Sequence, residues 1–255
     1  MNNADRRVKR GWMNLKVTKV IEETSDTKTF IMEDLEEAGR TWDYWPGQYL
    51  TFRFDGLTEK PIVRSYTMSS SPNQMDNCAV TVKRIEKGVV SNWLCDEVKV
   101  GSVLRARGPI GRFIYESAKD KSHLVMVAAG SGVTPFVSIM REYAAKLGQP
   151  GAPEKITLLI SYRSQNDLIL WQDLQKISSY KNARVYTTLS RDQSAPAEFW
   201  QGRIDDDKIA KAVGGHYAEC TFMSCGPQAI MDLTKQHALQ HGVSESQIKT
   251  ESFDG

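Results

Sequence analysis

Residues 61–70 read Pro-Ile-Val-Arg-Ser-Tyr-Thr-Met-Ser-Ser, a strand whose chemistry is wrong for a plain core strand. Side chains two apart share a face of a strand, so Arg64 and Tyr66 project together while Ser65 and Thr67 project oppositely. A cation beside an aromatic ring suits an anionic, planar ligand. The guanidinium forks onto a phosphate, the ring lies along a heterocycle, and the Thr67 hydroxyl at the strand end reaches a ring nitrogen. The same residues also make a surface ion pair beside a packed tyrosine, and the tetrapeptide alone does not choose between the two.

Two further stretches have anion-binding chemistry. Gly88-Val89-Val90-Ser91-Asn92-Trp93-Leu94-Cys95 begins a short amphipathic helix. Its glycine permits close backbone approach, its first N–H groups are unpaired, and the helix dipole favours an anion such as a pyrophosphate. Gly130-Ser131-Gly132-Val133-Thr134-Pro135 follows a strand. Two glycines let the chain turn tightly and let amides meet a diphosphate, while Pro135 suits the first turn of a helix. The third glycine of the common dinucleotide fingerprint is missing.

In their order along the chain these motifs resemble those of the ferredoxin-NADP reductase family, over residues 15–253. Arg64-Ser65-Tyr66-Thr67 is similar to its flavin-binding Arg-x-Tyr-Ser/Thr motif, and Pro46-Gly47-Gln48-Tyr49-Leu50 to its Pro-Gly-Gln-aromatic turn. Val82-Lys83-Arg84 matches the strand whose backbone lines the flavin, residues 88–91 the Gly-x-x-Ser pyrophosphate turn, and residues 108–113 the turn that closes the barrel. Residues 130–135 match the Gly-Thr/Ser-Gly-x-x-Pro turn, which sets Thr134 near the nicotinamide. Ser224-Cys225-Gly226-Pro227 carries the family's Cys-Gly-Pro, whose thiol lies beside the ring carbon that gives up hydride. Cys225 is then an orienting residue; read on its own, it is a buried structural thiol.

The resemblance implies FAD rather than FMN, because the diphosphate turn is present. Arg64 would anchor the pyrophosphate, Tyr66 stack on the isoalloxazine and Thr67 bond near its reactive nitrogen. Gly88, Val89, Val90 and Ser91 would hold the diphosphate, with Ser65, Val82 and Lys83 lining the site. Gly130, Gly132, Cys225 and Gly226 would take the nicotinamide nucleotide. Ser190-Arg191 resembles the pair that holds the 2'-phosphate of NADP, with Arg163 and Arg203 adding to that pocket. Arginine forks suit a phosphate, so NADPH is expected, and Asp192 next to them keeps NADH open. Glu251 would relay a proton, and Phe253 would cover the flavin or line the nicotinamide site. Tyr66, Thr67, Cys225 and Glu251 are the expected catalytic set.

The implied activity is a flavoenzyme passing hydride from NADPH to bound FAD and single electrons to a ferredoxin or an oxygenase iron-sulfur protein. A free-flavin reductase and a non-catalytic electron-transfer subunit are the alternatives. The two residues after Phe253 leave open a longer chain.

These residues need two kinds of scaffold. The chain of 255 residues is long enough for two modest cores. Strand-like runs at residues 15–23, 27–33, 48–54, 62–69, 78–85 and 102–106 predict an antiparallel β-barrel or sandwich, and the resemblance selects a Greek-key barrel. After a polar stretch at 116–122 the pattern alternates. Strands at 123–129, 155–162, 183–189, 220–224 and 248–252 are separated by helices at 134–147, 168–177, 206–213 and 228–241. Apolar strands with little alternation predict a doubly wound parallel α/β sheet, with ligand at the carboxyl ends of its strands. The expected domains are 11–117 for the flavin and 122–255 for the nucleotide.

Composition narrows the rest. With 40% hydrophobic and 25% charged residues the chain is not disordered. No apolar run approaches the ~20 residues that span a bilayer, and the start lacks the apolar core of a secretory signal, so cytoplasm is expected without membrane insertion. A net charge of +2 says little of partners; the basic arm Arg6, Arg7, Lys9 and Arg10 reads as a frayed terminus. Neither a basic surface with interleaved aromatics nor a reading helix points to nucleic acid. Cys78, Cys95, Cys220 and Cys225 lack the spacing of a zinc or iron-sulfur site. His237 and His241, one turn apart without the glutamate of a zinc-protease helix, are expected on a solvated helix. Oligomeric state is open.

Overall fold

A computed structural model describes residues 11–36, 43–72 and 78–253, and the basic arm at 6–10 lies outside them. The chain divides into two units, one ending at Ile114 and one beginning at Tyr115.

The first unit holds β1 (Trp12–Thr24), β2 (Thr27–Asp34), β3 (Tyr49–Phe54), β4 (Ile62–Thr67), β5 (Cys78–Lys83) and β6 (Val103–Ile110), with helix α1 (Val89–Glu97) after β5. All pair antiparallel, in the order β4-β3-β6-β1-β2-β5. Alternation supplies the core. Met13, Leu15 and Val17 of β1, Leu50 and Phe52 of β3 and Leu104 and Ala106 of β6 point inward and are buried, as side chains of period two must be if one face is to leave water. A fully buried Leu or Phe of this kind contributes roughly 2 kcal/mol. The two terminal strands then meet: Met68 bridges to Val80 and the Ser69 N–H donates to the Ala79 carbonyl at 2.8 Å. The sheet is therefore a closed barrel at that level. Strand β6 runs beyond the expected 102–106, because β1 and β3 both pair with it.

The second unit is a parallel sheet of β7 (His123–Ala129), β8 (Lys155–Tyr162), β9 (Ala183–Leu189), β10 (Trp200–Gln201), β11 (Cys220–Cys225) and β12 (Ile248–Glu251), ordered β10-β9-β8-β7-β11-β12. Helices α2 (Thr134–Tyr143), α3 (Trp171–Ser178), α4 (Asp206–Val213) and α5 (Gln228–Gln240) cover it. Ile209, Ala212 and Val213 of α4 and Ala238 of α5 pack with Val125, Val127, Leu159 and Phe222. Arg141 on α2 pairs with Asp173 on α3 at 2.7 Å. Strand order reverses between β7 and β11, which makes the carboxyl ends of those two strands the switch point of the sheet.

Three local readings change. The third helix starts at Trp171 rather than 168, because Ile169 and Leu170 are buried, Leu170 is left-handed, and the Tyr162 hydroxyl donates to the Ile169 carbonyl at 3.0 Å. The short edge strand β10 was not expected; the Thr188 hydroxyl holds it by donating to Trp200 and Gly202 carbonyls. His237 is not solvated. It is 1% exposed, between the Tyr217 hydroxyl and the Asp206 carboxylate, each at 2.9 Å. No helix among the described residues is long and apolar enough to cross a membrane.

Candidate functional site

The barrel closes at one end only. Continuing the register of the Met68–Val80 bridge sets Tyr66 across from Val82 and Arg64 across from Arg84, but β4 and β5 form no ladder there. Each keeps an unpaired backbone edge among the described residues, an open row of donors and acceptors. On the β4 side Arg64 is exposed. Among the described residues its one hydrogen bond runs from Nη1 to the Val63 carbonyl at 2.8 Å, and no carboxylate there pairs with it. Tyr66 is half-buried, edge-on to Phe52 at 6.0 Å between ring centroids, and burial pushes its phenol up, so it stays protonated. Ser65 bonds Thr51 across the other face of the ladder at 3.0 Å, and Thr67 is buried.

On the β5 side Val82 is buried and the Lys83 ammonium is paired with Asp26, so this strand offers backbone rather than charge. Helix α1 follows with no side-chain cap. A side chain on Gly88 would put its first carbon 2.5 Å from the Ser91 hydroxyl, which accepts from the Ile85 N–H at 3.1 Å. The Gly88 N–H is itself spent on the Ile85 carbonyl at 2.9 Å, so Gly88 supplies space rather than a donor. The N–H groups of Val89, Val90 and Ser91 find no backbone acceptor among the described residues, the condition for holding an anion. Two open strand edges, an unpaired guanidinium, a phenol ring and a bare helix start fit a flavin carrying a diphosphate.

In the second unit the turns after β7 and β11 touch backbone to backbone. A first side-chain carbon on Gly132 would lie 2.3 Å from the Cys225 carbonyl oxygen, and one on Gly226 would lie 3.2 Å from the Ala129 backbone. Gly130 and Gly226 also have positive φ, +54° and +137°, which glycine adopts without strain. The buried Thr134 hydroxyl donates to the Ser131 carbonyl at 3.0 Å and tightens the turn. Cys225 is fully buried, and burial, then the neighbouring Glu251, pushes its thiol up. Burial alone raises the Glu251 carboxyl to about 7. Its Oε2, like the Ser224 hydroxyl, is buried with no hydrogen-bond partner among the described residues, an arrangement a native fold keeps only for a reason. Ser224 stood inside a motif without a role, and only its orphaned hydroxyl singles it out.

The ends of β8 and β9 are clipped together. The Ser190 N–H and hydroxyl donate to the Tyr162 carbonyl at 2.9 and 3.2 Å, and the Arg191 N–H to the Arg163 carbonyl at 2.8 Å. Arg163, Arg191 and Arg203 are exposed and form no ion pair among the described residues. Phe253, just past β12, is exposed. The structure thus brings Arg163, Ser190 and Arg191 to neighbouring strand ends.

Comparison with known proteins agrees with both halves. Residues 14–115 match the family model of the oxidoreductase FAD-binding domain, and residues 126–236 that of the oxidoreductase NAD-binding domain. The chain is 31% identical over 240 residues to the ferredoxin reductase component of a 3-ketosteroid-9-alpha-monooxygenase from Rhodococcus rhodochrous, covering 94% of this chain and 64% of the relative. It is 32% identical over 247 residues to a glycine betaine monooxygenase reductase subunit from Chromohalobacter salexigens, covering 95% and 64%. The fold matches the FAD/NAD-binding domain of nitric oxide dioxygenase from Vibrio cholerae with a TM-score of 0.82 at 22% identity, covering 96% of this chain and 99% of that one. The chain spans 64% of the length of the two curated relatives.

Proposed function

The chain belongs to the ferredoxin-NADP reductase superfamily, with an FAD-binding domain followed by an NAD-binding domain, and we propose that it is a flavoenzyme passing electrons from NADPH to an iron-sulfur partner. That partner is a ferredoxin or the iron-sulfur component of an oxygenase. When bound, FAD supplies the conversion of a two-electron donor into single electrons. The protein binds, orients and holds protons around it.

Arg64 anchors the diphosphate, and Tyr66 lies along the isoalloxazine while keeping its hydroxyl proton. Thr67 bonds near the ring nitrogen, with Ser65 tying its strand to β3. The backbone of Val82 and Lys83 lines the ring. The amides of Val89, Val90 and Ser91 hold the diphosphate, and Gly88 lets it approach. Gly130, Gly132 and Thr134 shape the turn that takes the nucleotide's diphosphate, Cys225 and Gly226 orient the nicotinamide, and Glu251 holds a proton beside them. Arg163, Ser190, Arg191 and Arg203 take the 2'-phosphate. Phe253 covers an aromatic ring of a bound group. Their work is positional, which is worth orders of magnitude in rate when reacting atoms are held in contact.

The reading is carried by the gap between β4 and β5, where an unpaired cation and a half-buried ring flank two open strand edges. An anaerobic titration of the purified protein tests it. FAD is expected to co-purify, and its visible absorbance to bleach stoichiometrically on adding NADPH. Protein that is colourless and reduces added flavin with saturation kinetics would be a free-flavin reductase. Protein that keeps FAD but bleaches with neither NADPH nor NADH would be a non-catalytic subunit.

A further inference from the structure

We infer that Gln165 and Ser194 set the choice of nucleotide, by occupying the Asp192 carboxylate so that it cannot select a free ribose diol. The inference rests on the reading above that the ends of β8 and β9 take the adenosine half of the dinucleotide.

Asp192 directly follows Arg191 at the end of β9, where an acidic residue would select NADH by accepting hydrogen bonds from the ribose hydroxyls. That selection needs lone pairs, and here they are taken. Oδ2 accepts from the backbone N–H and the side-chain amide of Gln165, at 3.4 and 3.2 Å. Oδ1 accepts from the backbone N–H and the hydroxyl of Ser194, at 3.2 and 2.8 Å. A carboxylate offers about four acceptor positions, and these four donors fill them. The donors of Ser194, then Gln165, also hold the Asp192 carboxyl below the usual range, so it remains ionised and bound to them.

The clamp is built in advance. Gln165 begins a single turn whose start is fixed by Ser164, whose N–H and hydroxyl donate to Asp167 Oδ2 at 3.0 and 2.7 Å. The Arg191 N–H bond to the Arg163 carbonyl keeps the two loops in register. Neither guanidinium has been captured by Asp192 or by any other carboxylate among the described residues, so both stay available for a phosphate. Gln165 and Ser194 are positioning residues that act through Asp192.

The test uses two adenosine fragments that differ only in the 2'-phosphate, adenosine 2',5'-bisphosphate and 5'-AMP, bound to the FAD-loaded full chain and followed calorimetrically. Gln165→Ala is expected to lower the preference for the bisphosphate about tenfold, one charge-assisted contact's worth. Ser194→Ala, which likewise removes one side-chain donor, and the shorter bond of the two, should do so at least as much. Adding Asp192→Asn to Gln165→Ala should restore the wild-type ratio. Equal weakening of both fragments in Gln165→Ala and Ser194→Ala would mean a merely structural role and overturn the inference, as would failure of Asp192→Asn to restore the ratio. A wild-type protein that prefers 5'-AMP would sink the NADPH reading instead, while the shift between wild type and Gln165→Ala still judges the clamp. If Gln165→Ala does not fold, Ser194→Ala with and without Asp192→Asn decides.

Discussion

Cys225 and Glu251 stand at the same level of the parallel pair β11–β12, the thiol fully buried and one carboxylate oxygen buried without a hydrogen-bond partner among the described residues. Burial drives both toward their neutral forms, and the charge of Glu251 would further oppose ionisation of the thiol. Burial thus favours a neutral carboxyl beside an intact thiol at the end of the sheet.

Glu251 makes stability depend on pH. Its carboxyl is raised to about 7 in the folded chain, so the folded state holds the proton more tightly than the unfolded one. The stability this brings is complete below about pH 4 and is lost as pH rises through about 7. Glu251→Gln is expected to match wild type near pH 4 and to exceed it by about 1–2 kcal/mol near pH 8, allowing for the partial exposure of the group. Urea unfolding at both pH values measures this, and a gain independent of pH would contradict it.

Arg64 has no ion pair to lose among the described residues. Arg64→Ala should leave the unfolding free energy within about 0.5 kcal/mol of wild type, yet weaken FAD binding about 10- to 100-fold, the worth of hydrogen bonds to a charged group. Flavin retained per protein after gel filtration, with a parallel unfolding curve, separates the two effects.

Gly132 has no room for a methyl group beside the Cys225 carbonyl. Gly132→Ala must push the β7 and β11 turns apart, at a cost of about 2 kcal/mol, and should abolish binding of adenine dinucleotides. Gly148→Ala is the control for a glycine in open space, where the cost arises only from its positive φ. That control should lose stability and keep nucleotide binding.

His237 joins α5 to Asp206 on α4 and to Tyr217 ahead of β11. His237→Ala removes both bonds and leaves a cavity, and is expected to cost about 2–4 kcal/mol without changing flavin content per folded molecule. Thermal unfolding together with the visible spectrum checks it.

The succession of elements is legible in the amino-acid sequence, because it is written in local terms. Alternating apolar residues mark the barrel strands and unbroken ones mark β7 and β8. Glycines mark the turns at 88, 130 and 226, and each candidate motif sits at a strand end for that reason. Which groups remain free to act is a different matter. The Lys83 ammonium is engaged by Asp26 and Oδ2 of Asp192 by Gln165, both far off in sequence, while the Gly88 N–H and Oδ1 of Asp192 are taken by near neighbours that no motif marks. His237 reads as a surface histidine until α4 and the Tyr217 turn close over it. Likewise nothing local says that Gly132 meets Cys225; that contact exists because β7 and β11 are neighbours across the reversal in strand order. Short-range propensity and turn chemistry place residues along the chain, whereas strand pairing between remote segments chooses their hydrogen-bond partners and their burial, and with these their chemistry.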